Sequence, residues 1–202
     1  MKQSHLEGTQ VLIDRNEMLR RIPQQSITCE VGVADGTFSR TMFDVINPSK
    51  HYMIDLWNTK RYGDNVLKEA KSKFPQEIQD GRIEIIRKDS LLGISQLADH
   101  TIDFLYIDTN HQYELTISEL RLAVTKIKPS GIIAGHDYTP GSAKKDGPFL
   151  KYGVIEAVSD FLEEHPFYLK YLTLDENKFY SFALQRTDTS KGVLHYLKKL
   201  LR

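Results

Sequence analysis

Acidic residues recur where apolar runs end. Glu30-Val31-Gly32-Val33-Ala34-Asp35-Gly36 sets two acids between and beside two glycines, and Asp55, Asp89 and Asp108 each close a further apolar run. His111 follows Asp108 by three residues, and His136-Asp137 closes another run. Glycine at 32 and 36 lets the backbone turn sharply and come close to a ligand. A dinucleotide fingerprint would need glycine at 34 and 37, where Ala34 and Thr37 stand. Two acids in one turn repel a pyrophosphate and suit a ligand carrying positive charge.

S-adenosylmethionine is such a ligand, with a sulfonium, an ammonium and one carboxylate. Its carboxylate can sit near backbone N–H groups of the Gly32–Gly36 turn while Glu30 attracts the cationic end. Asp55, 25 residues past Glu30, is placed to bind both ribose hydroxyls. Asp89 can accept from an adenine amino group and Ser90 can donate to a ring nitrogen, although an Asp-Ser pair taken singly is also a helix N-cap. Trp57 can stack on the adenine or pack at the sheet edge. Asp108 is a candidate both for holding the cofactor and for the reaction itself. Methylating an alcohol needs a base, a metal, or both. His111 titrates near neutrality and suits a base. Asp108 and Asp137, on neighbouring strand tips, suit a divalent cation with oxygen ligands.

The elements that carry these residues alternate. Residues 10–22 read as a short helix ended near Pro23. Strands follow at 27–33, 51–57, 82–88, 101–108 and 131–137, and helices at about 37–46, 63–73, 91–98 and 112–127 fall between them. Residues 138–152, rich in Gly and Pro, read as a loop, either solvated or a lid over the site. Val154 to Leu162 gives a helical face. Residues 167–174 and 178–186 form a terminal hairpin. KGVLHYLKKLLR (191–202) reads as a basic amphipathic helix that packs on the sheet, on another subunit or on an anionic surface, its apolar face favouring packing. Strand–helix alternation implies right-handed crossovers and a mostly parallel sheet, with ligands outside the strands' carboxyl ends. Every acid named above lies there. One α/β domain over residues 1–202 is expected, with a helical extension at 1–26, a core at 27–186 and a terminal helix at 187–202.

Composition excludes other classes. The chain has 202 residues, with 27 Lys+Arg against 27 Asp+Glu. A zero balance argues against nucleic acid as the main partner. One cysteine, Cys29, excludes an internal disulfide framework and fits a reducing compartment. No apolar run spans a bilayer, and the first residues lack a signal peptide's apolar core. The expectation is a cytoplasmic protein.

The run CEVGVADGTFSR, the acid of MIDLW, Asp89-Ser90, YIDTNHQYE and KPSGIIAGHDY together resemble class I S-adenosylmethionine-dependent methyltransferases over roughly residues 27–186. The similarity is nearest to the small-molecule branch of macrocin and mycinamicin sugar O-methyltransferases and cephalosporin-hydroxylase-like proteins. It implies a Rossmann-like seven-stranded sheet in the order 3-2-1-4-5-7-6 and a small hydroxylated acceptor. It also implies a metal held at Asp108 and at an acid pair after the fifth strand, with His111 as base. His136 stands where that family has a carboxylate. A set of Asp108, His136 and Asp137 suits manganese, iron or zinc better than magnesium. The competing readings are a nicotinamide-dependent oxidoreductase, disfavoured by the missing glycines, and a non-catalytic module that binds the cofactor.

Overall fold

The computed structural model describes residues 1–143, 149–176 and 178–187. The strands are β1 (Gln10–Leu12), β2 (Ile27–Val31), β3 (Lys50–Asp55), β4 (Ile83–Arg87), β5 (Ile102–Ile107), β6 (Ile127–Gly135), β7 (Gly141–Ala143), β8 (Phe149–Lys151), β9 (Phe167–Thr173) and β10 (Phe182–Arg186). The helices are α1 (Arg15–Leu19), α2 (Thr37–Ile46), α3 (Asp64–Ser72), α4 (Pro75–Gln79), α5 (Ser90–Ser95), α6 (Tyr113–Lys126) and α7 (Val154–Glu164). A short 3-10 turn, Gln3–Leu6, precedes them.

Eight strands form one sheet in the order β1-β9-β10-β6-β5-β2-β3-β4. The expected order recurs from β4 to β9, and β10 runs antiparallel to both β6 and β9. The sheet is thus Rossmann-like and mostly parallel, with eight strands rather than seven. The eighth is β1, which pairs parallel with β9, Val11 opposite Leu172. Residues 10–22 are therefore a strand and then a helix. Asp14 divides them: its carboxylate accepts from the Glu17 N–H at 2.7 Å and caps α1. Val11 and Ile13 face outward while Leu12 is buried, a period-2 pattern too short to stand out.

The central strands β2 and β5 are buried on both faces, which is why β5 is apolar but for Asp103 and why Thr28 and Glu30 of β2 are buried polar groups. Helices α5, α6 and α7 cover one face, with Ile54, Leu105, Leu120, Ile133, Val158 and Phe161 in the core between. On the other face, Met18, Leu19, Met42, Ile46, Phe104 and Tyr106 lock α1 and α2 onto the sheet. A third cluster of Val33, Phe43, Met53, Trp57, Ala70 and Phe74 seats α3 and α4. Pro75 opens α4, where its missing N–H costs nothing. Cys29 is fully buried. The segment read as a loop contains the β7–β8 hairpin, while Lys144, Lys145 and Gly147 lie outside the described residues. So does the helix expected at 191–202. No described helix is long and apolar enough to cross a membrane.

The strand order reverses at β2, which pairs with β3 on one side and β5 on the other. A crevice opens at such a switch point beyond the carboxyl ends.

Candidate active site

That crevice has a volume of about 620 Å³ and is lined by Gly32, Asp55, Asp89, Ser90, Asp108 and His111, among others. Five of the eight residues expected to hold a cofactor are therefore on its wall. The size suits a ligand of nucleoside dimensions.

Gly32 is where the two halves of the crevice meet. Its φ is +91°, and a Cβ there would lie 2.0 Å from the carbonyl oxygen of Asp108. Only glycine allows the β2 turn to pass this close to the end of β5. Asp55 steadies the same turn from β3. One carboxylate oxygen accepts from the Ala34 N–H at 2.9 Å, and the other accepts from the Trp57 N–H at 3.1 Å. Ala34 and Trp57 both take positive φ, so Asp55 holds a pair of sparsely populated turns in place. Asp89 caps α5 by accepting from the Leu92 N–H at 3.0 Å.

Three expected residues lie elsewhere. Trp57 is 1% exposed and packs in the core under α3 and α4, its indole N–H donating to the Ala34 carbonyl at 2.9 Å. Its positive φ turns the ring away from the crevice, and its neighbour Leu56 lines the wall with Arg61 and Tyr62. Gly36 begins α2 at φ +77°, and its hydrogen faces Ala70 of α3, so it serves helix packing. Glu30 is buried beneath α2, where it accepts from the Ser39 hydroxyl. Burial pushes its carboxyl well above the usual range, and nearby Asp108 adds to this, so neutrality rather than charge is favoured there. Strand alternation decides this outcome: Thr28 and Glu30 point to the same face, and that face is covered by a helix.

The reaction end is built from two adjacent strand tips. Asp108 follows β5, and His136-Asp137 follows β6. His111 and Asp137 both adopt left-handed backbone, φ 61° and 56°. These turns aim the side chains at each other, and His111 Nδ1 donates to Asp137 Oδ2 at 3.0 Å. His136 Nδ1 lies 3.3 Å from the same oxygen and 3.7 Å from Asp108 Oδ2, with its ring stacked against Phe179. Burial alone would raise the Asp137 carboxyl, but hydrogen bonds from His111 and His136 overcome it and hold it well below the usual range. For His111, burial opposes the charge, yet the bond to Asp137 and the nearby Asp108 raise its pKa above the ordinary value. Burial raises Asp108, and repulsion by Asp137 adds to that. Among the described residues, one metal-sized group has its ligand atoms within 4.8 Å of one another: Asp108, His111 and Asp137. His111 thus stands where the sequence placed His136 in the ligand set.

Sequence reasoning missed Glu119. It is fully buried on α6 below the turn that carries Asp108 and His111, and it accepts from the Thr109 hydroxyl at 3.0 Å. Burial pushes its carboxyl up to about 7, partly offset by Ser90 and Thr109. Its signal was available: Thr116, Leu120 and Ala123 mark the inner face of α6, and Glu119 lies among them.

Residues 29–138, more than half of the chain, match a family model described as a methyltransferase domain. No curated protein matches the sequence. Solved structures do. A SAM-dependent methyltransferase from Aquifex aeolicus is 18% identical over 91% of this chain and 92% of its own, with a TM-score of 0.58. A structure described as a putative rRNA methylase from Clostridium thermocellum is 14% identical over 86% and 94%, TM-score 0.63. A putative methyltransferase from Streptococcus mutans, solved in complex with SAH, is 13% identical over 86% and 96%, TM-score 0.60. At these identities the structural likeness is one of fold. It agrees with the sheet order and the switch-point crevice, and with the family-model match it makes the chain a member of the methyltransferase-domain family.

Proposed function

We propose that this methyltransferase uses S-adenosylmethionine to methylate a hydroxyl of a small molecule such as a sugar. The observation that carries the reading is a crevice with acids at successive strand tips that ends against the His111–Asp137 pair. Asp89 and Ser90 would take the adenine, Asp55 the ribose, and Gly32 and Asp108 the methionine end. When bound, the cofactor supplies a methyl group on an electrophilic sulfonium.

His111 takes the proton. Its Nδ1 is engaged by Asp137, which sets the ring's orientation and leaves Nε2 as the basic nitrogen. The acceptor hydroxyl would give its proton to Nε2 while its oxygen takes the methyl group, which the bound cofactor would supply with the bonding pair left on sulfur. Asp137 stabilises the resulting imidazolium. Asp108, His111 and Asp137 also fit a divalent cation, which would lower the acceptor's pKa as a Lewis acid. His111 would then be a ligand, so metal and base are separable readings of one cluster. The equal counts of cations and acids support a small acceptor over RNA.

Calorimetry should show S-adenosylmethionine binding to the wild type that Asp55→Ala weakens; absence of wild-type binding sinks the proposal. A methyl-transfer screen over sugars, phenols, peptides and an rRNA fragment tests the acceptor, and transfer to RNA alone overturns the small-molecule reading. Activity unchanged by a chelator and by Asp137→Ala removes the metal.

A further inference from the structure

Arg15 has no role in the site described so far. It is the first residue of α1, in the segment that β1 ties to the sheet edge. Its guanidinium carbon lies 4.2 Å from the centroid of the Phe38 ring, in the first turn of α2, and the Phe38 and Tyr106 rings pack at 4.6 Å. The side chain is half-buried and interacts electrostatically with Tyr106, whose hydroxyl is paired with that of Ser181. Burial works against its charge, and Tyr106, Asp108 and Asp175 offset this. Yet among the described residues no carboxylate comes within ion-pair distance of the guanidinium. Asp175 accepts instead from the Arg15 backbone N–H at 3.3 Å and from the Thr173 hydroxyl.

A partly desolvated guanidinium without an anion is an incomplete pair. A guanidinium seated over a ring can still present its paired edge N–H donors, which bind a carboxylate through two parallel bonds. Its position names the carboxylate. With adenine at Asp89 and ribose at Asp55, the methionine end runs past Gly32 and Asp108. Arg15 is not itself on the described crevice wall, but it sits on Phe38 in the first turn of α2, against Tyr106 two residues before Asp108, close to the Gly32–Gly36 turn and within electrostatic reach of Asp108 and the buried Glu30. The ammonium of an amino acid then falls to Asp108, and its carboxylate needs a cation on the far side. Arg61, which lines the crevice, lies after β3 on the ribose side, next to Leu56 and Tyr62.

We propose that Arg15 binds the α-carboxylate of the cofactor's methionine moiety, so that the N-terminal segment completes the cofactor site. This rests on the S-adenosylmethionine reading above.

The test compares S-adenosylhomocysteine with 5′-methylthioadenosine, which keeps the adenosine and sulfur but lacks the amino acid. Both are titrated calorimetrically into the full chain, as wild type, Arg15→Met and Arg15→Lys. Methionine keeps the stem over Phe38 and removes the charge. Arg15→Met should weaken S-adenosylhomocysteine by about 10- to 100-fold, the worth of a charge-assisted bond, while 5′-methylthioadenosine changes less than about twofold. Arg15→Lys should restore part of the loss. Equal losses for both ligands, or none for either, overturn the assignment. So does an unchanged S-adenosylhomocysteine affinity with a raised KM for an acidic acceptor. If the wild type binds neither ligand, the cofactor reading itself has failed and Arg15 falls with it.

Discussion

Replacing Glu119 by glutamine should change how stability depends on pH, and the size of the change follows from burial. The carboxyl is fully buried, and its pKa rises from an ordinary 4.5 to about 7. Between these values the folded protein keeps a proton that the unfolded chain releases. The stabilisation is fully present below about pH 4.5 and is lost as pH rises through about 7. Each factor of ten in proton affinity is about 1.4 kcal/mol, so the loss amounts to about 3 kcal/mol by pH 8. Glutamine has nearly the same shape, still accepts from Thr109 and does not titrate. The stability of Glu119→Gln minus that of the wild type should therefore grow by about 3 kcal/mol between pH 4.5 and pH 8. Urea denaturation at half-unit pH steps measures both proteins; titrations of groups remote from Glu119 cancel in the difference, whereas His111, whose pKa Glu119 helps to raise, cancels only in part. A difference that stays flat within 1 kcal/mol would refute the reasoning, because it would mean that the carboxyl ionises inside the fold at no cost.

Three further outcomes follow from the site. Gly32→Ala should cost more than about 2 kcal/mol, since the new Cβ meets the Asp108 carbonyl oxygen at 2.0 Å and φ is +91°; an unchanged melting temperature contradicts the close approach. His111→Ala should lower kcat by about 10²- to 10⁴-fold with S-adenosylhomocysteine affinity within a few-fold of wild type; equal turnover removes His111 as the base. A base must be neutral to accept a proton, and Asp137 holds the His111 pKa above 6.5, so the wild-type rate should rise with pH on the alkaline side of that value. Asp137→Asn leaves burial as the dominant influence, so the rise should move to lower pH while kcat falls; a pH–rate profile with an unmoved midpoint breaks the link between the pair and the reaction.

Much of this architecture is local in origin. The runs ending at Val31, Asp55 and Ile107 are largely buried, the edge run ending at Arg87 alternates, and a helix follows each within about ten residues. Such units close as a parallel sheet with right-handed crossovers, so a crevice at the carboxyl ends follows, whereas the strand order was implied by the family resemblance. Chain order alone put Asp55, Asp89, Asp108 and Asp137 at that end, and all but Asp137 line the crevice. β1 escaped notice because a three-residue edge strand takes its stability from pairing with Tyr171–Thr173, some 160 positions away, and no local pattern records that.

What only the tertiary structure decided is direction and company. Glu30 and Gly32 are two residues apart, yet one is covered by α2 and the other meets Asp108, because the strand passes under the helix and the turn does not. Trp57 and Leu56 are neighbours, and a positive φ sends the larger one inward. His111 pairs with Asp137 because β5 and β6 lie side by side and both residues take left-handed turns. Arg15 reaches Tyr106 only because β1 anchors its segment to the far edge of the sheet. The sequence by itself determined which chemical groups stand at the strand ends, since periodicity and burial are written along the chain. Which of those groups face one another depended on backbone turns and on pairings between distant segments, and these exist only once the sheet has closed.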